Sequence, residues 1–203
     1  MELIGDFHIH GPYAQACSRK TTIDLMEQNA KIKGLNILGT GDAQHPVWNK
    51  ELNSKLTEDE NGILWTKNKF PFIWSTEISL AYTHNGKGRR IHYVVLFPNK
   101  EVVDQFTQAL LKRGRIDYDG RPIFGMSSIV FLEMCLSISK DIEIIPAHAW
   151  TSWMSIFGSK SGYDVRNTKS GRPSRHATNQ ALDMIFNSPD AYDKILKDPE
   201  LSA

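Results

Sequence analysis

The chain has 203 residues, 40% hydrophobic and 23% charged, with a formal net charge of +1, so one globular domain is expected and no global field draws it onto nucleic acid or membrane. Cys17 and Cys135 form no thiolate metal motif, and no apolar run approaches the roughly 20 residues of a membrane span. The opening Met-Glu-Leu-Ile-Gly-Asp puts an acidic residue where a signal peptide is basic, so a reducing, cytoplasmic location without a disulfide is expected.

Residues 3–9 read as a short apolar strand, followed by a helix over 21–34 with hydroxyl capping candidates and a glycine stop. Residues 35–40 form a second strand ending in Gly-Thr-Gly-Asp, and Pro46 opens a helix to about Leu56. An acidic stretch at 58–60 precedes two strong strands, 72–80 and 91–97, whose pairing as a hairpin is open; between them lies the loop His84-Asn-Gly-Lys-Gly-Arg-Arg90. Helices are expected over 100–112 and 127–139, and a buried strand over 142–146. Strands alternating with helices argue for an α/β fold with a largely parallel sheet, either barrel or doubly wound. From Arg166 the sequence turns polar, "RNTKSGRPSRHATNQ", so 1–165 reads as the folded domain and 166–203 as a diverged polar and helical tail.

The chemistry gathers at strand ends. His8 and His10, two apart in "GDFHIHGPY", face the same way on a strand with Cα atoms roughly 6.5 to 7 Å apart. Two imidazoles so placed can converge on one ion about 2.1 Å from each nitrogen. Asp42 follows the second strand, Glu77 lies in the third, His92 opens the fourth, and His148 ends the last. Singly, each has an ordinary structural reading, as core carboxylate, strand cap or helix N-terminal residue. Together they match the rule that active sites of barrels and open parallel sheets collect at carboxyl ends of strands, with Glu77 and His92 fitting less neatly. Imidazole and carboxylate without thiolate suit Zn²⁺, Mn²⁺ or Fe²⁺. Six candidate ligands exceed one tetrahedral ion, so two or more ions sharing Glu77 as a bridge are expected.

These residues make the chain resemble the PHP (polymerase and histidinol phosphatase) family, whose signature begins with His-x-His on the first strand. "GDFHIHGPYAQACS", "KIKGLNILGTGDAQHPVW", "STEISLAYTHNGKGRRIHYVVLFP", "LLKRGRIDYDGRPIFG" and "IEIIPAHAWTSWMSIFGSKSGYD" are similar to its endonuclease Q branch, over residues 1–164. The resemblance implies a distorted (β/α)7 barrel with two or three divalent ions (Zn, Mn or Mg). It implies an endonuclease that hydrolyses DNA beside deaminated or abasic bases. His8, His10, Asp42, Glu77, His92 and His148 are then the metal residues, Glu77 and Asp42 the catalytic ones, and His45 an outer partner or ligand. The family's Asp-x-His pair from a later strand has no counterpart after Asp164, and His176, Asp183 and Asp190 are not spaced to replace it. A truncated or diverged form is therefore expected, with a barrel incomplete at its C-terminus and an open sheet edge available for self-association.

DNA is the expected partner. Residues 84–121 hold eight basic residues against four acidic ones, a local excess of +4. Lys87, Arg89, Arg90, Arg113, Arg115 and Lys160 are candidates for phosphate contacts, and Trp150 and Trp153 for stacking on a flipped base, with packing as the alternative for the tryptophans. Two other readings stay open: a non-catalytic metal- or DNA-binding remnant, and a small-molecule phosphatase of the same family, which would not need the basic loops.

Overall fold

The structure is a computed structural model and describes residues 3–163. The tail 166–203, with the expected domain boundary, lies outside the described residues. The elements in order are β1 (Gly5–Asp6), α1 (Ile23–Ile32), β2 (Ile37–Gly39), α2 (Pro46–Lys55), β3 (Thr57–Glu58), β4 (Leu64–Trp65), β5 (Pro71–Ile73), β6 (Ser75–His84), β7 (Lys87–Leu96), α3 (Lys100–Leu111), β8 (Ile123–Phe124), α4 (Ser128–Ile138) and β9 (Glu143–Pro146). No described helix is long and apolar enough to cross a membrane.

The helices begin where side chains can satisfy their free N–H groups. Thr22, Asn99 and Ser127 each accept a backbone N–H three residues on, from Leu25, Val102 and Val130. At α2 the cap is an imidazole, His45 Nδ1 accepting from Trp48 N at 3.4 Å, and Pro46 sets the first helical φ. α1, α2 and α3 each bury one stripe: Ile23, Met26 and Ala30 from α1, Trp48 and Leu52 from α2, Val103, Phe106 and Leu110 from α3. These join Phe72, Trp74, Ile78, Leu80, Ile91 and Tyr93 in one core.

Two sheets cover that core, in the orders β1-β2-β5-β4-β3 and β8-β6-β7-β9. They share one run of chain, because β5 passes into β6 at Trp74. There Phe97 N donates to Trp74 O at 3.0 Å and Ala43 N donates to Ser75 O at 3.1 Å, so both sheets hold the crossing.

Five features differ from the sequence expectation, the first being that β9 is not buried: at the edge of the second sheet, Glu143 and Ile145 are exposed and Ile144 and Pro146 half-buried. The sheets are mixed, with three parallel pairings (β1·β2, β2·β5, β6·β8) against four antiparallel ones among the described residues, and no closed barrel is formed by them. The Gly- and Arg-rich stretch is not a loop. Asn85 and Gly86, at φ 52 and 71, make a two-residue turn, and β6 and β7 pair in unbroken register from His84↔Lys87 to Ser75↔Leu96. The first strand is short, because β1 pairs with β2 only at Gly5↔Ile37 and Asp6↔Leu38. Beyond that the chain leaves the sheet, and His8 N donates to Asp6 Oδ1. The acidic stretch also contains an unforeseen hairpin, β3–β4, folded around Asp59 Oδ1, which accepts from Asn61 N and Ile63 N.

Candidate metal centre

The β6–β7 hairpin supplies the centre of the site. Side chains alternate along each strand, so Glu77 and Ser79 share a face of β6, and His92 stands opposite Ser79 in β7. That makes Glu77 and His92 diagonal neighbours on one face, and His92 Nδ1 lies 2.8 Å from Glu77 Oε1. Both side chains are buried, 1% and 6% exposed. The hairpin direction, which fits the strand-end rule less neatly in sequence, is what brings them together.

Three further imidazoles reach the same carboxylate from other parts of the fold. His8 and His10, in the segment leaving β1, put Nε2 at 3.3 and 2.9 Å from Glu77 Oε2. His148, two residues past β9, puts Nε2 at 3.4 Å from Glu77 Oε1. Exposure rises outward from the carboxylate to 20% at His10, 31% at His148 and 36% at His8, so the cluster opens to solvent on one side.

The donor atoms form two groups, His8–His10–Glu77 and Glu77–His92–His148, each with its ligand atoms within 4.8 Å of one another. Two ligands about 2.1 Å from one ion can stand at most about 4.2 Å apart. Shifts below an ångström would therefore close either group onto a cation. Nitrogen and carboxylate oxygen without sulfur fit a borderline or hard divalent ion, and Glu77 is common to both groups.

Asp42 belongs to neither group. It is fully buried, and its carboxylate is already engaged: Oδ1 lies 2.8 Å from His10 Nδ1, and Oδ2 accepts from Gly11 N at 2.7 Å. This is the carboxylate–histidine pairing that orients ligating imidazoles, leaving His10 Nε2 toward Glu77. His45 belongs to neither group; it stacks on Tyr13 at 4.6 Å with its Nδ1 in the α2 cap. Asp42 and His148 are both non-glycine residues in the left-handed region, at φ 48 and 33. Such strain persists where surrounding contacts hold it, as the Asp42 hydrogen bonds and the Thr151–His148 contacts do.

Electrostatics follow from this packing. Burial alone would lower His10, but the hydrogen bonds and charges of Asp42 and Glu77 reverse it and raise its pKa to about 9. Burial would raise Glu77, and the hydrogen bonds from His10, His8 and His92 instead hold it far below the usual carboxylate range. His148 and His45 are both pushed down, by burial first.

A cavity of about 490 Å³ opens beside His92 and His148, lined also by Gln15, Arg121, Thr151 and Trp153. Two larger cavities, of about 740 and 750 Å³, lie away from the cluster. Among them only the smaller one carries the histidines, so chemistry and not volume picks it out. Arg121 is the residue that sequence reasoning passes over: its Nη1 is 3.3 Å from Glu77 Oε2. In the chain it stands out only as a member of the basic cluster, although the "DYDGR" turn around it is a legible signal.

The residues expected to meet DNA are dispersed. Trp153 is 55% exposed at the cavity, and Trp150, 75% exposed, stacks on Phe157 at 4.6 Å. Arg89 is engaged internally, its guanidinium 4.3 Å from the Tyr163 ring centroid and hydrogen-bonded to Gly162 O. Arg115 pairs with Asp117 at 2.9 Å. Lys87, Arg90, Arg113 and Lys160 are exposed. Lys87 and Arg90 sit on the turn side of β7, five and two residues from His92 along the strand.

No family model matches the chain. It is 30% identical over 144 residues to the uncharacterized protein MJ0043 of Methanocaldococcus jannaschii, a match covering 70% of this chain and 16% of that protein. Its fold is similar to the crystal structure of the lesion-specific endonuclease PfuEndoQ from Pyrococcus furiosus, with a TM-score of 0.65 and 32% identity, over 75% of this chain and 36% of that one. It is also similar to a crystal structure of endonuclease Q in complex with a 27-mer duplex bearing an abasic lesion at the active site, with a TM-score of 0.66 and 31% identity, over 84% of this chain and 40% of that one. The chain thus spans less than half the length of each.

Proposed function

We propose that this chain holds divalent metal ions for the hydrolysis of DNA phosphodiester bonds next to deaminated or abasic bases, as a PHP-type protein of the endonuclease Q kind. The observation that carries the reading is Glu77, a buried carboxylate with four imidazoles and one guanidinium within 3.4 Å. The likeness in fold and sequence to two endonuclease Q structures supports the choice of DNA as substrate. In this reading His8, His10 and Glu77 would hold one ion, and Glu77, His92 and His148 would hold a second. Such ions, when bound, supply positive charge to a phosphodiester and make a neutral-pH nucleophile of water.

The remaining residues work on the ligands and the substrate. Asp42 accepts from His10 Nδ1–H and so keeps the Nε2 lone pair free, a positioning role in place of direct ligation. His45 belongs to the scaffold, as the cap of α2. Trp153, exposed at the cavity, is the aromatic surface offered to an unstacked base, with Trp150 beyond it. Lys87, Arg90, Arg113 and Lys160 offer exposed cations to the backbone, whereas Arg89 and Arg115 are held by Tyr163 and Asp117.

The test is a nicking assay on duplexes containing deoxyuridine, deoxyinosine or an abasic site, with Mn²⁺ or Mg²⁺. Lesion-dependent nicking that disappears in a His8→Ala, His10→Ala double variant is the expected result. A second reading is a metal- and DNA-binding protein that does not cut. Metal content and DNA binding without any nicking would select it. Hydrolysis confined to a small phosphomonoester would select the phosphatase reading instead.

A further inference from the structure

We infer that Arg121 is a two-position residue: it occupies Glu77 when no cation is there, and it takes a substrate phosphate once the cation arrives. The inference rests on the metal-centre reading above. Arg121 Nη1 and the Nε2 atoms of His8 and His10 all address one atom, Glu77 Oε2, at 3.3, 3.3 and 2.9 Å. A divalent ion bound through that oxygen meets a permanent positive charge already in contact with it. Arginine cannot neutralise itself by losing a proton. Like charges at that separation repel, so the guanidinium and the ion compete for the carboxylate.

Where the guanidinium goes is set by how its backbone is held. The turn over residues 119–121 is anchored on three sides. Asp119 Oδ1 accepts from Gln15 N and from Arg121 N, at 3.2 and 2.9 Å. Gly120 N donates to Tyr13 O at 3.2 Å, and Gly120 O accepts from Gln44 Nε2 at 2.7 Å. A Cβ at Gly120 would fall 2.2 Å from Asp42 Oδ2, so only glycine lets the turn pass over the carboxylate that orients His10. The backbone is fixed while the side chain, 33% exposed, lines the cavity with Gln15, Trp153, His92 and His148.

Swinging away from Glu77 leaves the guanidinium in that cavity, beside the imidazoles of one ligand group. Arg89 and Arg115 are engaged elsewhere, on Tyr163 and on Asp117. Of the lysines and arginines with described side chains, Arg121 is the one that both contacts Glu77 and lines this cavity. A planar fork of N–H donors suits two oxygens of one phosphate. Metal loading and phosphate binding are therefore coupled: the ion releases the guanidinium, and the phosphate compensates the charge so gathered.

The two roles have opposite signs, which makes the proposal testable without turnover. Mn²⁺ is titrated into the metal-free wild type, Arg121→Ala and Arg121→Lys, and inorganic phosphate is then titrated into each metal-loaded protein, both by calorimetry. Arg121→Ala should bind Mn²⁺ several-fold more tightly than wild type, and its loaded form should bind phosphate about tenfold or more weakly. Arg121→Lys should retain the competition with the metal but recover only part of the phosphate affinity, because an ammonium lacks the fork. Weaker Mn²⁺ binding in Arg121→Ala would mean that arginine merely braces Glu77 and would overturn the proposal. Unchanged phosphate affinity in the loaded variant would overturn it equally. If the wild type takes up no Mn²⁺, the metal-centre reading itself has failed; if it takes up Mn²⁺ and the variants behave as wild type, only the assignment of Arg121 has.

Discussion

Asp42 contributes to this site through another residue. Its two oxygens meet His10 Nδ1 and Gly11 N, at 2.8 and 2.7 Å. Asp42→Asn keeps a side chain that tolerates the left-handed backbone at φ 48, but it sets an amide N–H₂ against one of those two donors. Metal affinity should then fall about 10- to 100-fold with the far-UV circular dichroism unchanged. A metal titration of the variant checks this. His10 also sets a pH dependence. Its folded pKa of about 9 lies above the ordinary 6.5, so in the metal-free protein it carries a proton at neutral pH that an incoming ion must displace. Affinity should rise with pH up to about 9, by about tenfold per unit for each proton displaced. Calorimetry in two buffers of different ionisation enthalpy reads the released proton. The stability contribution has the opposite slope: for the metal-free protein it is fully present below pH 6.5 and is lost as pH rises through about 9. Urea midpoints of the metal-free protein should fall across that window.

At the scale of elements, the β6–β7 hairpin carries both the site and its rigidity. Glu77 and His92 lie deep in its register, while the Asn85-Gly86 turn at the far end sets that register. Gly86 has φ 71 with nothing within 4 Å of an added Cβ, so Gly86→Ala is opposed by backbone strain alone. It should cost about 1–2 kcal/mol, visible as a melting temperature lowered by about 2–8 °C, with the metal stoichiometry retained. The basic stretch of β7 divides into two kinds of residue. Arg89 fastens the hairpin to residues 162 and 163, so Arg89→Ala should lower stability by about 1–3 kcal/mol. Lys87→Ala with Arg90→Ala should leave the melting temperature alone and weaken binding to all DNA sequences alike, with a shallower salt dependence. A loss confined to one base context would show that these two cations read sequence.

On the scale of the molecule, the site joins pieces that share no local structure. His8 and His10 come from the segment after β1, Glu77 and His92 from the hairpin, His148 from beyond β9, and Arg121 from the turn before β8. A cation bound to such a set binds only the folded chain, so it stabilises the whole fold by mass action. Mn²⁺ or Zn²⁺ at about 100 times its dissociation constant should add about 2.7 kcal/mol to the unfolding free energy for each ion bound, and a chelator should remove the gain. Replacing His8 and His10 together by Ala should abolish the share of that gain, and of the bound metal by elemental analysis, that belongs to the ion they hold with Glu77, in a chain that still folds. A full increment in the double variant would exclude this centre as the place where the metal binds.

Elements with a strong local signal are legible in the amino-acid sequence. The capped helices at Thr22, Asn99 and Ser127, and the apolar runs that form β6, β7 and β9, depend on side chains a few residues apart, and periodicity and capping report such spacings directly. His8, His10, Glu77, His92 and His148 are also legible as one set, because each falls at or near the end of a strand signal. The rest is decided by contacts distant in sequence. Whether a carboxylate ligates or positions depends on which donors it meets, and Asp42 meets Gly11 and His10 only after β1 and β2 pair. Arg121 reaches Glu77 across 44 residues, through a turn whose path is set by Tyr13, Gln44 and Asp42. Arg89 and Arg90 look equivalent in the chain, and only Tyr163 and Gly162, more than 70 residues away, distinguish them. Residue types and strand order announce a chemistry compatible with a divalent metal ion; the partner of each charge comes from packing, since in a buried site a charge's role is fixed by the groups that replace its water.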